Sequence, residues 1–375
     1  MTNEGDSKSR QIIRRMARKN PDARIIVMGC YATRDPAAVA ALPQVAEVVT
    51  DKRELPDLLG RFGVIDIPDG ISRFGDRHRA YVKVQDGCLL RCSYCIIPKV
   101  RPEMYSRPMQ PILDEVQRLV GNDFREIVLT GVHLGHYGVD WNYNKPKAEW
   151  IRLANLVRKI VELPGDFRIR LSSIEATEVT RELIDVMAEY PERICPHLHI
   201  CLQTGSDDVL RRMNRRWGTQ RFIDRCEMVR DRLDKPAITT DVIVGFPGET
   251  DADFETTLDT VRACKFSKIH MFPFSARRGT PAATMPDQVD TLVKKARGKA
   301  LKAVELQLRD EYFETLVGSR LRVLVEAKDD ATGEMLGTSC RYSPTRMPND
   351  PSVGTSQFVE VTAKEVVDGQ IVASF

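Results

Sequence analysis

The segment Tyr81-Val-Lys-Val-Gln-Asp-Gly-Cys-Leu-Leu-Arg-Cys-Ser-Tyr-Cys-Ile-Ile-Pro98 joins an alternating, strand-like run to a loop with three cysteines. Cys88, Cys92 and Cys95 follow a C-x3-C-x2-C spacing, which puts three thiolates in one short loop. Structural zinc sites are closed by four protein ligands, and an ordinary electron-transfer cluster is held by four cysteines. Three cysteines therefore indicate a [4Fe-4S] cluster with one iron left open to a substrate or cofactor. Tyr94, just before the last cysteine, fits as a cover over that cluster.

The alternative for these cysteines is three unrelated structural thiols, because cysteines are often buried and inert. Three cysteines within eight residues at this spacing disfavour that alternative. The chain has nine cysteines, and its N-terminus lacks the apolar segment of a secretory signal. A reducing, cytoplasmic location and a metal site are therefore favoured over disulfides.

The composition is that of a soluble globular protein, with 42% hydrophobic and 29% charged residues. A length of 375 residues favours two or three domains. No run of about 18 apolar residues occurs, so no membrane span is predicted. The net charge is only +3, but basic residues are concentrated in three runs: Arg10, Arg14, Arg15, Arg18 and Lys19; Arg211, Arg212, Arg215 and Arg216; and Lys294, Lys295, Arg297, Lys299 and Lys302. Such runs are usually solvated helix faces, although three of them modestly favour a polyanionic partner.

From Ala80 onward, apolar strand-like runs alternate with amphipathic stretches whose apolar residues recur at a helical spacing. This alternation predicts a parallel sheet with helical crossovers, an α/β fold built as a partial (βα)6 barrel. The candidate strands are Tyr81–Val84, Glu126–Thr130, Phe167–Leu171, His197–Cys201, Thr239–Val244 and Lys268–Phe272.

The polar and glycine-rich segments of the chain directly follow these strands. Parallel barrels build their active sites at the carboxyl ends of the strands, so we expect one site from all six segments. They are the three cysteines, Gly131–Gly138, Ser172–Glu175, Gln203–Ser206, Gly245–Thr250 and Pro273–Pro281.

The two ends of the chain differ from this middle part. Residues 1–75 read as an incomplete α/β domain and linker, with a basic helix over Ser7–Lys19, a strand over Ala23–Gly29 and helical pieces near Pro36–Leu42 and Glu54–Leu59. Residues 76–316 then form the barrel domain, ending in a helix over Val289–Leu316. Residues 317–375 alternate as short strands do, which predicts a small β-barrel. Its candidate strands are Leu321–Glu326, Glu334–Ser339, Gln357–Ala363 and Gln370–Ala373.

The cysteine segment resembles the radical S-adenosylmethionine methylthiotransferases, and the resemblance covers nearly the whole chain. Leu129-Thr-Gly-Val-His-Leu-Gly-His-Tyr-Gly138 is most similar to the enzymes that convert N6-threonylcarbamoyladenosine in tRNA to its 2-methylthio derivative. The resemblance implies a radical S-adenosylmethionine barrel whose three cysteines bind a [4Fe-4S] cluster. The open iron would chelate S-adenosylmethionine, which yields a 5′-deoxyadenosyl radical on reduction. The C-terminal barrel resembles the RNA-binding TRAM domain.

The resemblance also implies which residues contact S-adenosylmethionine. Gly131 is equally explained by a plain strand-to-helix turn, and Glu175 by a solvated or salt-bridged rim carboxylate. Thr204 and Cys201 stand where the family more often has Ser and Pro. The implied contact residues are Tyr94, Gly131, Ser173, Glu175, Gln203 and Gly245.

Two histidines, His133 and His136, lie in the loop after the second predicted strand. No carboxylate motif accompanies them in sequence, so ordinary polar roles are favoured over a metal site.

Cys30 in Met28-Gly-Cys-Tyr-Ala32 resembles the third of three cysteines that hold a second, sulfur-donating cluster in this family. One thiolate cannot hold a cubane, so the second cluster is incomplete in this sequence. We therefore expect the chain to be N-terminally truncated, with two further cysteines encoded upstream, and to cleave S-adenosylmethionine without transferring sulfur. The remaining cysteines are expected to be structural: Cys195, Cys201, Cys226, Cys264 and Cys340.

The implied function is methylthiolation of adenosine at position 37 of tRNA, next to the anticodon. The radical would take hydrogen from C2 of the adenine, and a one-electron donor such as flavodoxin or ferredoxin would reduce the cluster. Three alternatives stay open: action on isopentenyladenosine in tRNA, action on a ribosomal-protein aspartate, and an inactive RNA-binding remnant.

Overall fold

The computed structural model of the protein describes residues 3–51, 54–64 and 78–375. These residues divide into two compact units. Of the described residues, the first unit contains 3–51, 54–64, the cysteine segment 87–104 and the segment 275–285, and the second unit contains the rest. Most of the predicted linker over residues 61–79 lies outside the described residues. No helix of the described chain is both long and apolar enough to cross a membrane.

The first unit has a two-stranded parallel sheet flanked by helices. Strands β1 and β2 pair in parallel along their length. The predicted strand and helices are present, but β2 was not predicted, because its five residues lie between two short helices and are fixed by pairing with β1. The elements are α1 (Asn3–Lys19), β1 (Ile25–Met28), α2 (Cys30–Arg34), α3 (Pro36–Ala40), β2 (Val45–Val49), α4 (Leu55–Arg61) and, after the cysteines, α5 (Ile97–Val100).

The second unit has a parallel half-barrel at its centre. Neighbours pair in parallel in the orders β3-β5-β6 and β7-β8-β9-β10, with the short β4 antiparallel at the edge of β3. Only Ser172 separates β6 from β7, so the two sheets continue one another. The strands are β3 (Arg79–Asp86), β4 (Tyr105–Ser106), β5 (Glu126–Gly131), β6 (Arg168–Leu171), β7 (Ser173–Ile174), β8 (His197–Ile200), β9 (Ala237–Val244) and β10 (Lys268–Pro273). The α/β fold class and six strand positions are thus confirmed.

Helices cover the outside of this half-barrel and bury its core. On the first of them, Ile112, Val116 and Leu119 have no exposed surface, as a 3.6-residue period requires. Side-chain caps start several helices; Thr250, for example, accepts from the Asp253 amide while the Asp253 carboxylate accepts from the Thr250 amide. The helices are α6 (Met109–Gly121), α7 (Leu153–Val161), α8 (Arg181–Glu189), α9 (Asp207–Arg212), α10 (Thr219–Arg232), α11 (Asp251–Cys264) and α12 (Thr291–Leu316).

The C-terminal residues form a closed five-stranded barrel in the order β11-β12-β13-β15-β14. Phe313 and Leu316, at the end of α12, belong to its hydrophobic core. The strand β13 was not predicted because it is short and starts at a proline. The strands are β11 (Arg320–Lys328), β12 (Met335–Ser339), β13 (Pro344–Met347), β14 (Phe358–Val367) and β15 (Gln370–Ser374).

This small barrel docks against the amino ends of the half-barrel strands. Arg168 and Arg170, near the start of β6, donate to backbone carbonyls of the small barrel, among them Arg322 and Ser339. The same two guanidiniums bind Glu126, the fully buried first residue of β5, at 2.7 and 2.8 Å. The small barrel therefore lies at the end of the strands opposite to the polar loops.

Candidate active site

The cysteine segment 87–104 forms a loop whose two ends lie close together. Gly87 has a φ of +76°, and a Cβ atom there would overlap the carbonyl oxygen of Glu103. Only glycine accepts both this backbone conformation and this close approach. Within the loop, the amide of Cys95 donates to the carbonyl of Cys92 at 3.0 Å, which turns the chain between the two thiols. Cys92 is buried and Cys88 is partly buried.

The segment 275–285 packs on this loop within the first unit. The amide of Ala282 donates to the carbonyl of Ser93 at 2.9 Å. Arg277, in the same segment, is only 4% exposed and lies 3.9 Å from the carboxylate of Asp6. Burial lowers the pKa of Arg277, while Asp6 and Cys95 oppose that shift. A buried positive charge therefore lies close enough to the cysteines to offset thiolate charge.

Three thiolates in one loop fit a [4Fe-4S] cluster with an open iron, because three cysteines supply one ligand fewer than a closed cluster needs. Cys88, Cys92 and Cys95 are the residues that would hold it, and Arg277 supplies a compensating charge.

Cys30 also belongs to the first unit, where it begins the five-residue helix α2 after Gly29. Helix α2 packs against α5, which follows the cysteine loop. Cys30 is the only cysteine among residues 1–87 of the sequence. A single thiolate does not fit a second cubane, so we assign no step to a second cluster.

In the second unit, Gly131 ends β5 at the carboxyl edge of the half-barrel. A Cβ atom at Gly131 would lie 3.1 Å from Oε1 of Gln85 and from Cα of Leu134. The fully buried Gln85 accepts from the His133 amide at 2.8 Å. Gly131 is therefore needed for packing of the loop after β5, whatever else it contacts.

Ser173 and Glu175 follow β6 and lie close to Cys201. A side-chain hydrogen bond joins Ser173 to Cys201, and burial together with the Glu175 charge raises the pKa of the Cys201 thiol well above its usual value. Glu175 accepts from Arg215 and from Nε1 of Trp217, the latter at 3.3 Å. Arg215, part of a basic run in the sequence, is thus buried in an ion pair rather than on a solvated helix face.

Two groups of side chains bring possible metal ligands together. One consists of His199, Cys201 and Asp241, with Nε2 of His199 3.3 Å from Asp241. The other adds Glu178 to the two histidines that the sequence analysis considered; Nε2 of His133 lies 3.2 Å from Glu178 and Nε2 of His136 lies 3.6 Å from it. Burial alone would raise the pKa of Glu178, but hydrogen bonds with both histidines lower it to about 2. These contacts join the three side chains in one cluster, in which Nδ1 of His136 is buried without a hydrogen-bond partner in the described chain.

Gln203 and Gly245 end the next two strand positions. Gln203 is buried with a φ of +70°, and its backbone bonds on both sides to β9, at Asp241 and Ile243. The amide of Gly245 donates to Glu249 at 2.5 Å, and Glu249 is ion-paired with Arg297 at 2.6 Å. Both positions are tightly held turns at the carboxyl edge.

Sequence reasoning missed several charged residues that the fold brings to this edge. Glu178 is 45 residues from His133, and Asp241 is 42 from His199, so no local motif joins them. The only feature of the sequence that could have indicated Glu178 and Asp241 is that each of them follows a predicted strand or belongs to one.

Comparison with known proteins defines the class first. Residues 82–261 match the model of the radical SAM superfamily. A solved radical S-adenosylmethionine methyltransferase, TsrM from Kitasatospora setae with cobalamin and a [4Fe-4S] cluster bound, superposes with a TM-score of 0.56 at 15% identity, covering 74% of this chain and 62% of that one. The half-barrel is therefore that of a radical S-adenosylmethionine protein, whose cofactors are a [4Fe-4S] cluster and S-adenosylmethionine.

Sequence relatives define the family. The chain is 40% identical to the threonylcarbamoyladenosine tRNA methylthiotransferase MtaB of Bacillus subtilis, over 89% of this chain and 76% of that protein. It is 35% identical to the tRNA-2-methylthio-N(6)-dimethylallyladenosine synthase of Corynebacterium urealyticum, over 96% of this chain and 72% of that one. The chain belongs to the radical S-adenosylmethionine methylthiotransferases of the MtaB type.

Proposed function

We propose that this protein acts in the methylthiolation of N6-threonylcarbamoyladenosine at position 37 of tRNA, next to the anticodon, where its residues serve the abstraction of hydrogen from the adenine. The observation that carries the proposal is the three-thiolate loop directly after the first strand of a parallel half-barrel, in a chain 40% identical to an enzyme named for this nucleoside. When bound, the cluster and S-adenosylmethionine would supply the radical that takes hydrogen from C2 of the adenine.

The residues of the chain would hold these groups and exclude water. Cys88, Cys92 and Cys95 would bind the cluster, and Tyr94 would cover it. The carboxyl-edge residues Gly131, Ser173, Glu175, Gln203 and Gly245 would bind S-adenosylmethionine. The small barrel of residues 317–375, which resembles a TRAM domain, would hold tRNA, and a flavodoxin or ferredoxin would donate the electron.

A second candidate substrate is N6-dimethylallyladenosine, because a relative 35% identical over 96% of the chain is named for it. The two nucleosides differ in the N6 group: one ends in a carboxylate and the other is an apolar hydrocarbon. This difference makes the substrates separable by experiment.

The test uses reconstituted, reduced protein and anticodon stem-loop RNAs that carry deuterium at C2 of the modified adenine. We expect deuterium to enter 5′-deoxyadenosine faster from the threonylcarbamoyl RNA than from the dimethylallyl RNA, measured by mass spectrometry. Faster transfer from the dimethylallyl RNA would reverse the substrate assignment. Mass spectrometry of tRNA nucleosides from a deletion strain, with and without the gene, checks the product.

Cys92→Ala should lose both the brown absorbance of about four irons per chain and the formation of 5′-deoxyadenosine. The matched control is Cys340→Ala, which removes a thiol of the small barrel and should retain both. Cleavage of S-adenosylmethionine by Cys92→Ala would contradict the assignment of the cluster.

A further inference from the structure

A cavity of about 360 Å³ opens at the carboxyl edge of the half-barrel, within the second unit. Its walls come from the loop after β5, the start of α7 and the loop after β7, and volumes of this size hold small ligands. The polar and aromatic side chains that line the cavity include His136, Asn142, Tyr143, Trp150, Arg152 and Glu178.

The loop that forms one wall of the cavity is held in place by close backbone packing and by hydrogen bonds. A Cβ atom at Gly138 would overlap the carbonyl oxygen of Ile151, so the backbone at Gly138 and the backbone at Ile151 lie close together. The side chain of Asn142 donates to the Ile151 carbonyl at 2.9 Å and accepts from the Ile151 amide at 3.0 Å. Nε1 of Trp150 donates to the carbonyl of Lys145 at 2.9 Å. These bonds fix the position of the next residue, Arg152.

Most polar groups in the cavity are already engaged. Glu178 accepts from Thr177 and lies 3.2 Å from Nε2 of His133 and 3.6 Å from Nε2 of His136. Both ends of the Asn142 amide are used. Arg152 differs: its guanidinium lies 4.9 Å from the Trp150 ring, and no carboxylate of the described chain is within ion-pair distance of it. A guanidinium held on an aromatic ring without an anion is preorganised to bind one.

Tyr143, which also lines the cavity, has a ring that is 64% exposed. Exposed aromatic rings are the platforms on which single-stranded bases stack. Apolar side chains, such as Leu153 and Leu183, line the rest of the wall. The lining of the cavity thus includes an exposed aromatic ring, apolar side chains and the guanidinium of Arg152.

We propose that this cavity binds the N6-threonylcarbamoyl group of the substrate, with Arg152 pairing with its carboxylate and Tyr143 stacking on a base beside it. This proposal rests on the proposed function and names the residue that determines its specificity. The planar fork of arginine matches a carboxylate with two hydrogen bonds. A dimethylallyl group carries no charge for Arg152 to bind.

The test measures binding of three anticodon stem-loops to the reconstituted full chain by fluorescence anisotropy. They carry threonylcarbamoyladenosine, dimethylallyladenosine or unmodified adenosine at the same position. Wild type should bind the first most tightly. Arg152→Gln should weaken that complex about tenfold to a hundredfold, the usual range for a lost charge-assisted hydrogen bond, and leave the other two unchanged.

Arg158→Gln is the matched control, because Arg158 lies on α7, the helix that begins directly after Arg152, has a side chain that is 38% exposed and is already ion-paired with Glu189 at 2.7 Å. It should bind all three RNAs as wild type does. Tyr143→Ala should weaken all three and Tyr143→Phe none, since stacking needs only the ring. The thermal unfolding midpoint of each variant checks that it is folded.

Two outcomes would overturn the inference and leave the proposed function standing, and a third would overturn both. If Arg152→Gln weakens all three RNAs equally, the guanidinium binds a backbone phosphate. If the variant keeps the wild-type preference for the threonylcarbamoyl RNA, Arg152 does not read the carboxylate. If wild type itself prefers the dimethylallyl RNA, the proposed substrate fails, and this inference fails with it.

Discussion

Glu126 is a carboxylate with no exposed surface, and three arginines surround it. Arg168 and Arg170 bind it at 2.7 and 2.8 Å, and Arg79 lies 3.3 Å away. Burial alone would raise the pKa of Glu126, but the charges of Arg170 and Arg168 outweigh burial and hold it well below the usual range. Replacing Glu126 would leave the buried charges of its arginine partners uncompensated. A single substitution at this position should therefore lower the stability of the second unit.

Glu126→Gln should lower the free energy of unfolding by about 3–5 kcal/mol at neutral pH, because it leaves buried guanidiniums without their anion. Chemical denaturation measures this change. The control is Glu326→Gln; Glu326 binds Arg79 at 2.6 Å, but its side chain is 29% exposed. Because water reaches this ion pair and weakens it, the loss of stability should be smaller than for Glu126→Gln.

The same residue predicts a pH dependence. Since the folded-state pKa of Glu126 lies below its unfolded value of about 4.3, its contribution is complete above that value and is lost as the pH falls towards the folded pKa. The stability difference between wild type and Glu126→Gln should therefore shrink progressively below about pH 4. A difference that stays constant down to pH 3 would show that ionisation of Glu126 is not its source.

At the scale of elements, the half-barrel was predictable because each strand is an apolar run and each helix has a 3.6-residue period. The carboxyl-edge loops followed from the same alternation. Strands β2 and β13 were missed, since pairing with distant partners fixes them more than their own residues do. The contacts of Glu175 with Arg215 and of Glu178 with two histidines were also unpredictable, because folding alone brings those residues together.

The cysteine loop provides an element-scale test that leaves every ligand in place. Gly87→Ala should lower the iron content of reconstituted protein by more than half, because a Cβ atom would push the base of the loop off the Glu103 carbonyl. Iron per chain and visible absorbance are the measurements. Gly121→Ala is the control, since a Cβ there meets nothing within 4 Å; equal iron loss in both variants would refute the steric argument.

For the molecule as a whole, the docking of the small barrel changes how the proposed RNA binding by this barrel should be tested. Deleting residues 317–375 would remove the carbonyls that accept from Arg168 and Arg170. It would also uncover Phe313 and Leu316 of α12. A loss of RNA binding in the deletion variant would therefore not distinguish misfolding from a lost RNA contact. Substitutions of surface residues are the better test.

Arg320 and Lys364 are exposed and lie on one outer face of adjacent strands, because Arg320 pairs with Thr362. Replacing both with alanine should weaken tRNA binding and reduce the slope of log affinity against log salt by about one to two, as lost phosphate contacts require. Lys159→Ala is the control, since Lys159 is an exposed cation of the half-barrel paired with Glu162 at 2.9 Å. An unchanged slope in the double variant would exclude this face from RNA binding.

In the proposed complex with tRNA, the position of the small barrel also sets a minimum length for the substrate. The longer strands of the half-barrel contain eight residues, and at about 3.3 Å per residue they extend roughly 26 Å. An RNA that contacts both the small barrel and the carboxyl edge must run along that distance. A nucleoside or a very short loop fragment can reach only one end, so the proposed binding at both ends requires a folded piece of tRNA in which the modified base and its anchoring phosphates are well separated.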